Sequence, residues 1–390
     1  MSEGASVSKL RVGVFFGGKG IEREVSFNSG RTICDHINEF EYDTVPIFQR
    51  FDGELFILPW HFMHRGKISD FINRLETEAK KISWDELKNL IDFMYIATHG
   101  RFGEDGTVQG FLEILGIPYL GAKVFGSSLG MNKIMQKTFF RTNGIDVAKD
   151  VFFSAYEIKN LSNEIILKKL KENKIDLSCV VKPNNEGSSF GVAVVEKKDD
   201  LLNAIKKTSK CDNRFEQDVI VEEKIEGMEF VCVCLQKINK NDSPTSHKAS
   251  GFVPQNSGTS PDVSSGMSST WFALPITQVI PEDGSKFYDY DQKYMPGRAS
   301  KITPANCSAQ DQKKIQDVCI KATEILDFST ISRIDGFLTK DGKVVLIDPN
   351  ALTGMAPATF LFHQAAEIGM SHTQLINYLI EVELQNYKRG

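Results

Sequence analysis

The sequence lacks the features of a membrane or secreted protein. Its 390 residues contain no apolar run that approaches the length of a membrane span. The amino terminus, MSEGASVSKLRVGVFF, lacks the basic segment and continuous apolar segment of a signal peptide. The cysteines are few, seven in all, and none form a C-x-x-C pair. We therefore expect a cytoplasmic protein that binds no membrane and has reduced, mostly buried cysteines.

Clusters of basic residues are missing as well. Lysine and arginine number 46 against 51 acidic residues, which gives a net charge of −5, and the basic residues are scattered. A nucleic-acid groove neutralises phosphates with clustered lysine and arginine, so this pattern argues against nucleic acid as a partner. A chain of 390 residues has room for two or three domains with substantial cores.

Alternating strand and helix patterns open the chain. RVGVFF (11–16) is predicted to be a buried strand, and IEREVSFNSGRTICDHI is predicted to be the helix after it. FMYIAT (93–98) predicts another strand, and GTVQGFLEILG predicts its helix. This alternation indicates a parallel α/β domain over residues 1–121.

The rest of the chain divides into two further predicted domains. Residues 122–223 begin with SSLGMNKIMQKTFFRTNG, which predicts one glycine-capped helix, and continue as a smaller α+β domain. Residues 224–390 contain a hairpin-rich sheet and end on the helix SHTQLINYLIEVELQNY. Within them, 237–270 is dominated by Ser, Thr, Asn, Gly and Pro, which predicts an inserted loop that is mobile or locally disordered.

A glycine-rich turn follows the first strand. GVFFGGKG (13–20) matches the P-loop pattern except at its last position, where Gly20 replaces the hydroxyl residue that would bind Mg²⁺. We therefore assign no P-loop, but a glycine-lined strand end leading into a helix still suits a substrate. There Glu22 either meets a substrate ammonium group or is a helix-start carboxylate favoured by the helix dipole.

Two carboxylates are predicted to face each other across a hairpin. In SRIDGFLTKDGKVVLIDPN (332–350), Asp341 and Gly342 form a favoured two-residue turn between apolar strands. Counting outward from this turn gives three facing pairs: Phe337 and Leu346, Asp335 and Asp348, and Arg333 and Asn350. Because side chains alternate along a strand, the last two pairs lie on one face of the sheet.

The facing carboxylates predict a metal site. Opposed carboxylates repel and destabilise a hairpin, so a sheet keeps such a pair when a cation lies between them. Oxygen ligands from Asp335, Asp348 and Asn350 suit Mg²⁺ or Mn²⁺ and not zinc. The alternative is that the strands separate at Pro349 and both carboxylates are solvated. A one-residue slip in register would also remove the site.

A second hairpin carries small polar residues at its tip. KPNNEGSSFGV (182–192) lies between the apolar runs LSCVV and VAVVE, with Lys182 at its base. The tip offers backbone N–H groups and hydroxyls to phosphate oxygens, from Gly187, Ser188, Ser189 and Gly191. Alone it would be a flexible turn, but together with a metal-type hairpin it predicts a nucleotide lid. The strand VIVEEKIEGMEF would then offer its edge to adenine and Glu229 to ribose.

Together, these blocks resemble the D-alanine–D-alanine ligases of the ATP-grasp superfamily. The resemblance covers essentially the whole chain outside 237–270 and is carried by FFGGKGIEREVSF, ATHGRFGEDGTVQGFLEILGIPYLG, MNKIMQK, VVKPNNEGSSFGV, VEEKIEGMEF, FYDYDQKY and SRIDGFL. It implies a three-domain α/β fold whose central and C-terminal sheets clamp ATP. It also implies that two D-alanines are joined through an acyl phosphate for peptidoglycan synthesis, with ATP, two Mg²⁺ or Mn²⁺ ions and a homodimeric enzyme.

At the nucleotide end, the resemblance implies phosphate contacts from Lys133 and Lys182 and a ribose contact from Glu229. Ser189 belongs to the loop that covers the phosphates. The implied adenine pocket consists of Glu222, Glu223, Lys224 and Ile225. The implied metal ligands are those of the counted hairpin: Asp335, Asp348 and Asn350.

At the substrate end, Glu22 would meet the ammonium of the first D-alanine, with His99 close by. Ser188 and Tyr294 would form a hydrogen-bonded closure between two loops. The groups implied for the second substrate and for the tetrahedral oxyanion are Lys293, Thr359, Arg333 and the backbone N–H of Gly354.

One segment departs from the family pattern. The family usually has E-x-N-T-x-P-G after the last metal strand, whereas this chain has DPNALTG (348–354). Asp348 is one methylene shorter than glutamate, and Thr353 replaces the proline. Two alternatives therefore stay open: a ligase of other specificity, such as one that joins D-alanine to a D-hydroxy acid, and a non-catalytic ATP-binding relative.

Overall fold

Three β-sheets organise the part of the chain that the structure describes. The structure is a computed structural model, and it describes residues 9–187, 189–212, 215–238, 270–281 and 299–389. Each sheet takes its strands from a separate stretch of the sequence. In this described part, no helix is both long enough and apolar enough to cross a membrane.

The first sheet confirms the parallel α/β arrangement predicted at the amino terminus. Its strands are β1 (Leu10–Gly17), β2 (Tyr42–Gln49), β3 (Leu55–Ile57), β4 (Lys80–Ile82) and β5 (Phe93–Ile96), in the order β4-β3-β2-β1-β5. β1 is parallel to both neighbours, and β3 and β4 add antiparallel strands. The helices here are α1 (Arg23–His36), α2 (Trp60–Met63), α3 (Leu75–Glu78), α4 (Leu87–Leu90) and α5 (Thr107–Leu115).

The second sheet is antiparallel and contains the predicted polar-tipped hairpin. Its strands are β6 (Asp150–Phe153), β7 (Cys179–Pro183), β8 (Ala193–Val195) and β9 (Val219–Glu223), in the order β6-β9-β7-β8. β7 pairs with β8, and loop 184–192, the lid loop, joins them. The helices are α6 (Val124–Gly130), α7 (Lys133–Thr142), α8 (Ala155–Ile158), α9 (Asn163–Glu172) and α10 (Leu201–Ser209).

The single helix predicted from SSLGMNKIMQKTFFRTNG is wrong, because α6 and α7 are separate. Asn132 between them is extended, with φ −116° and ψ 95°, and its side chain accepts the N–H of Met135. Asparagine is a favoured N-cap, because this bond satisfies a donor that the first turn leaves unpaired. The new helix start makes Lys133 the first residue of α7.

The third sheet holds the metal-type hairpin. Its strands are β10 (Gly227–Gln236), β11 (Trp271–Ala273), β12 (Thr277–Pro281), β13 (Ala299–Ile302), β14 (Ile331–Thr339) and β15 (Val344–Asn350). The order is β13-β12-β10-β14-β15, and β11 also pairs with β10. The helices are α11 (Ala309–Ile325), α12 (Phe360–Glu367) and α13 (His372–Arg389). Short 3₁₀ turns lie at Ile68–Asp70, Ile72–Arg74 and Lys198–Asp200.

The last two helices return to the first sheet. Leu375 and Leu379 of α13 share one buried apolar cluster with Val12 and Phe16 of β1. Asn377 ties the two parts together, since its Oδ1 accepts the Asn38 N–H at 3.0 Å. This packing brings the loop between β15 and α12 to the edge of the first sheet. The seven cysteines are all free and five are buried, as expected.

Close packing of α1 on β1 gives a stability prediction. A Cβ at Gly30 would lie 2.4 Å from the Phe16 ring, whereas a Cβ at Gly110 of α5 would meet Val124 at 3.7 Å, an ordinary contact. Gly30→Ala should therefore lower the free energy of unfolding by about 1–3 kcal/mol. Gly110→Ala, the matched control, should raise it by up to about 1 kcal/mol, because alanine favours helix. Urea unfolding of both variants measures this, and equal effects would contradict the packing.

Candidate active site

The structure confirms the facing carboxylates of the third sheet. Asp335 on β14 lies opposite Asp348 on β15, and Arg333 lies opposite Asn350. Asp335 is buried, with 6 % of its surface exposed. The strands stay paired through Pro349, so the alternative of separated, solvated carboxylates is not what the backbone shows.

The turn beside these pairs differs from the prediction. The predicted pair of Phe337 with Leu346 is wrong, because Phe337 faces Val345. The loop has three residues, not two, and the Thr339 N–H donates to the Lys343 carbonyl at 2.9 Å across it. Gly342 takes a left-handed φ of 76°, and Thr339 Oγ1 accepts the Lys343 N–H at 3.0 Å, which favours this longer loop.

A β-bulge restores the register before it reaches the carboxylates. The pairing shifts between Asp335 and Gly336, so that Ile347 is the extra residue on β15. A bulge adds one residue to one strand of a pair. The longer loop and the bulge therefore offset each other, and Asp335 still meets Asp348.

Each carboxylate has a cationic neighbour. Arg333 donates through Nε and Nη2 to the two oxygens of Asp335, at 3.0 and 3.1 Å. Lys133 Nζ lies 3.4 Å from Asp348 Oδ1 and donates to the Glu186 carbonyl of the lid loop at 2.7 Å. α7 is thereby tied both to the lid loop and to the metal-type hairpin.

The donor set suits a hard divalent cation. Two opposed carboxylates and the Asn350 amide offer oxygen atoms only, which is the ligand type of Mg²⁺ and Mn²⁺. The Asn350 amide nitrogen donates to the Asp348 carbonyl at 3.0 Å, so the amide oxygen is the atom that remains for a ligand. Within the described ranges, no group of three or more His, Cys, Asp or Glu side chains gathers as a metal site.

A cavity of about 370 Å³ lies between the second and third sheets. Of the predicted residues that the structure describes, ten line it: Lys133, Lys182, Ser189, Glu222, Glu223, Lys224, Ile225, Glu229, Asp335 and Asp348. Apolar side chains that the sequence did not single out line another part of its wall: Val180, Val194, Met228, Val279, Phe337 and Ile347. The cavity wall thus combines these apolar side chains, which we call the apolar slot, with charged ones.

A glutamate between two lysines forms part of the cavity wall. Lys182 Nζ lies 2.7 Å from Glu222 Oε2, and Lys137 Nζ lies 3.0 Å from Glu222 Oε1. Burial acts to raise the pKa of Glu222, but the two lysines outweigh it and keep the pKa below its ordinary value. Burial acts to lower the pKa of Lys182, but Glu222 outweighs it and the pKa is raised.

Sequence reasoning missed Lys137. It follows Lys133 by one helical turn in MNKIMQK, so the i, i+4 spacing places both side chains on one face of α7. That spacing was the available signal. Nothing in the local pattern indicates that Glu222 of β9 lies opposite.

The corner around Glu22, which we call the first-substrate corner after the predicted role of Glu22, lies where the lid loop meets the first sheet. Glu22 precedes α1, is 4 % exposed and makes no side-chain cap bond to the helix. A Cβ at Gly100 or Gly187 would lie 2.8 or 2.9 Å from Glu22 Oε1, so both loops press against this carboxylate. The structure thus brings Glu22 together with the lid loop.

His99 connects this corner to the loop after β15. His99 Nε2 and Ser29 Oγ are 2.8 Å apart, and Ser29 Oγ accepts the Met355 N–H at 3.1 Å. On its other side, His99 Nδ1 lies 4.0 Å from Glu104 Oε1. Ser29 and Met355 were not predicted, because they meet only through the return of the C-terminal helices.

The structure describes some of the residues predicted for the second substrate and the oxyanion, Gly354 and Thr359 among them. Thr359 precedes α12, and its buried Oγ1 has no hydrogen-bond partner among the described residues. A Cβ at Gly354 would meet Thr359 Cγ2 at 3.4 Å, so these two residues are neighbours. The predicted residues Ser188, Lys293 and Tyr294 lie outside the described residues.

Family models match most of the chain. The model described as D-ala D-ala ligase N-terminus matches residues 11–122. The model described as D-ala D-ala ligase C-terminus matches residues 139–257 and 263–381. The two matches include both hairpins and the first-substrate corner.

Curated relatives match over nearly the full length. A D-alanine–D-alanine ligase of Natranaerobius thermophilus is 32% identical, over 97% of this chain and 96% of the relative. A D-alanine–D-alanine ligase of Geobacillus thermodenitrificans is 30% identical, over 97% of each chain.

Solved structures show the same fold. The VanG D-Ala:D-Ser ligase from Enterococcus faecalis has a TM-score of 0.75 and 25% identity, over 96% of this chain and 100% of its own. The D-alanine–D-alanine ligase from Coxiella burnetii has a TM-score of 0.74 and 22% identity, over 98% and 96%. The fold is therefore that of the ATP-grasp ligases, as predicted. With its cavity, its hairpins and these matches, the chain belongs to the D-alanine–D-alanine ligase family.

Proposed function

We propose that this protein is an ATP-dependent ligase that joins two D-alanines into D-alanyl-D-alanine for peptidoglycan synthesis. The observation that carries the proposal is the cavity between two sheets, whose wall combines apolar side chains with Lys133, Lys182 and the opposed carboxylates. Such a cavity suits a nucleotide, whose base is flat and weakly polar and whose phosphates are anionic. The family of the chain supplies the substrate.

ATP is proposed to lie along the cavity. The apolar slot would take adenine, with Glu222, Glu223, Lys224 and Ile225 along its edge. Glu229 on β10 would accept bonds from the ribose hydroxyls. Lys133 and Lys182 would contact the phosphates, and Ser189 with Ser188 would cover them from the lid loop.

Asp335, Asp348 and Asn350 are proposed to hold Mg²⁺ or Mn²⁺, as two ions. When bound, the metal would offset negative charge on the phosphates and make the γ-phosphorus a better electrophile. Within the protein, Arg333 pairs with Asp335 and Lys133 with Asp348, so each of these carboxylates already has a positively charged neighbour.

The proposed chemistry has two steps. A carboxylate oxygen of the first D-alanine bonds to the γ-phosphorus while the bond to the bridging oxygen breaks, so ADP leaves and an acyl phosphate remains. The neutral amine of the second D-alanine then attacks the acyl carbon, the bond from that carbon to the phosphate oxygen breaks, and the departing phosphate takes up the proton that the nitrogen loses. The product is the dipeptide D-alanyl-D-alanine, which contains the new peptide bond.

Residues around the first-substrate corner would hold these reactants. Glu22 would pair with the ammonium of the first D-alanine, and His99 would lie beside it. Arg333 and the Gly354 N–H would donate to the oxyanion of the second step. Lys293 and Thr359 would hold the carboxylate of the second D-alanine, and Ser188 with Tyr294 would close the site against water.

The proposal also covers the domain boundaries, the oligomeric state and the compartment of the protein. The chain would consist of domains 1–121, 122–223 and 224–390, with 237–270 as an insert. It would act as a homodimer. It would work in the cytoplasm, where ATP is supplied.

Turnover with defined amino acids tests the function. Phosphate release from Mg-ATP should require D-alanine, and mass spectrometry should identify D-alanyl-D-alanine as the product. A panel of L-alanine, D-serine and D-lactate provides the comparison. Phosphate release that depends on another pair of substrates would contradict the proposed acceptor. ATP binding without phosphate release, whichever pair is supplied, would contradict the proposed ligase activity.

The metal site gives a second prediction. Asp335→Asn should lower kcat by about a hundredfold or more, because one of the two opposed carboxylates is lost. It should also abolish the rise in melting temperature that Mg²⁺ with ATP gives the wild-type protein. Asp341→Asn is the matched control, since Asp341 lies in the exposed loop of the same hairpin. This substitution should leave kcat and the rise in melting temperature unchanged. Normal turnover of Asp335→Asn would contradict the metal site.

A further inference from the structure

A buried lysine lies behind the phosphate end of the cavity. Lys137 on α7 is 3 % exposed and is not among the cavity-lining residues that the structure describes. Its Nζ donates to the Ala148 carbonyl at 3.0 Å and lies 3.0 Å from Glu222 Oε1. Lys137 thus contacts two residues that line the cavity, Ala148 and Glu222.

Glu222 bridges two ammonium groups. One of its oxygens faces Lys137, and the other lies 2.7 Å from the Nζ of Lys182. All three residues are buried, with 9 % or less of their surface exposed. Charges in such surroundings are weakly screened, so their balance acts strongly on a nearby anion.

The charge balance of this trio depends on Lys137. Lys182 and Glu222 alone would be neutral, and the glutamate would offset the charge that Lys182 offers to a phosphate. With Lys137 protonated, the trio keeps one net positive charge. A nearby carboxylate does not change this, because Asp150, 3.8 Å from Lys137, is also paired with Arg141.

We propose that Lys137 is a positioning residue that offsets the charge of Glu222 and so leaves the Lys182 ammonium available to ATP phosphates. This inference rests on the proposed function, because it takes ATP as the ligand of the cavity. It differs from a packing role, in which Lys137 only fills space and satisfies the Ala148 carbonyl. The two roles separate when Glu222 is neutralised as well.

The proposal also predicts a dependence on pH. Burial lowers the pKa of Lys137 to about 8, with Glu222 acting to raise it and Lys182 and Arg141 to lower it. The charged groups that face Lys137 are Glu222 of β9, Asp150 of β6, Lys182 of β7 and Arg141 of α7. Below the pKa the trio carries its surplus charge, and above it the surplus is lost. Affinity for Mg-ATP should therefore fall as pH rises through about 8.

Titration calorimetry of Mg-ATP, without D-alanine, tests the charge role. At a pH about one unit below the pKa, Lys137→Met should bind Mg-ATP on the order of tenfold more weakly than the wild type. The same substitution in a Glu222→Gln background should weaken binding much less, because no carboxylate then offsets Lys182; both proteins of that comparison lack any adenine contact that Glu222 makes. Lys169→Met is the control, since Lys169 pairs with Glu157 at 3.3 Å on the exposed side of α9 and should bind as the wild type.

The opposite results overturn the inference. Equal affinity of Lys137→Met and wild type, or a loss on Lys137→Met that is as large in the Glu222→Gln background as in the wild type, would leave Lys137 with a packing role only. Should Lys137→Met fail to fold, the wild-type pH profile still decides, because a constant affinity from about pH 7 to 9 would exclude the charge role. A wild-type protein that binds no Mg-ATP would instead reject the proposed function.

Discussion

Buried opposite charges that must neutralise one another are the constraint on which this structure depends. Lys133 at the start of α7 lies 3.4 Å from Asp348 of β15, and Lys182 of β7 lies 2.7 Å from Glu222 of β9. An unpaired charge at this depth would cost several kcal/mol. Each element must therefore stay within reach of its partner, and the gap between the second and third sheets keeps its shape. An anionic nucleotide and a divalent cation would enter a site whose charged side chains already have partners of opposite charge.

The substrate end depends on contacts between distant parts of the chain. The C-terminal helices pack on the first sheet and bring Met355 to Ser29, which in turn contacts His99. The lid loop reaches the same corner, where Gly187 lies against Glu22. Segments from the start, middle and end of the chain therefore meet at this corner. Close packing of such segments would help to keep water from the proposed acyl phosphate.

Local rules predicted much of this arrangement, and non-local packing accounts for the rest. Strand alternation correctly paired Asp335 with Asp348, although the loop and the bulge each add a residue and offset one another. Counting outward from a turn cannot foresee a bulge, because a bulge depends on packing against the neighbouring strand. The helix break at Asn132 was missed, although Gly130, a weak helix former, and Asn132, a favoured N-cap, were both signals in the sequence. The ion pair of Lys137 was missed because its partner, Glu222, lies on β9, which is distant from α7 in the sequence.

The central claim is that the lysines and the opposed carboxylates together hold the phosphates of ATP. A crystal structure of the protein with Mg²⁺ and a non-hydrolysable ATP analogue tests it most directly. We expect adenine in the apolar slot, phosphate oxygens at Lys133 and Lys182, and metal at Asp335 and Asp348. Phosphates bound away from both lysines, or metal held by other residues, would contradict it.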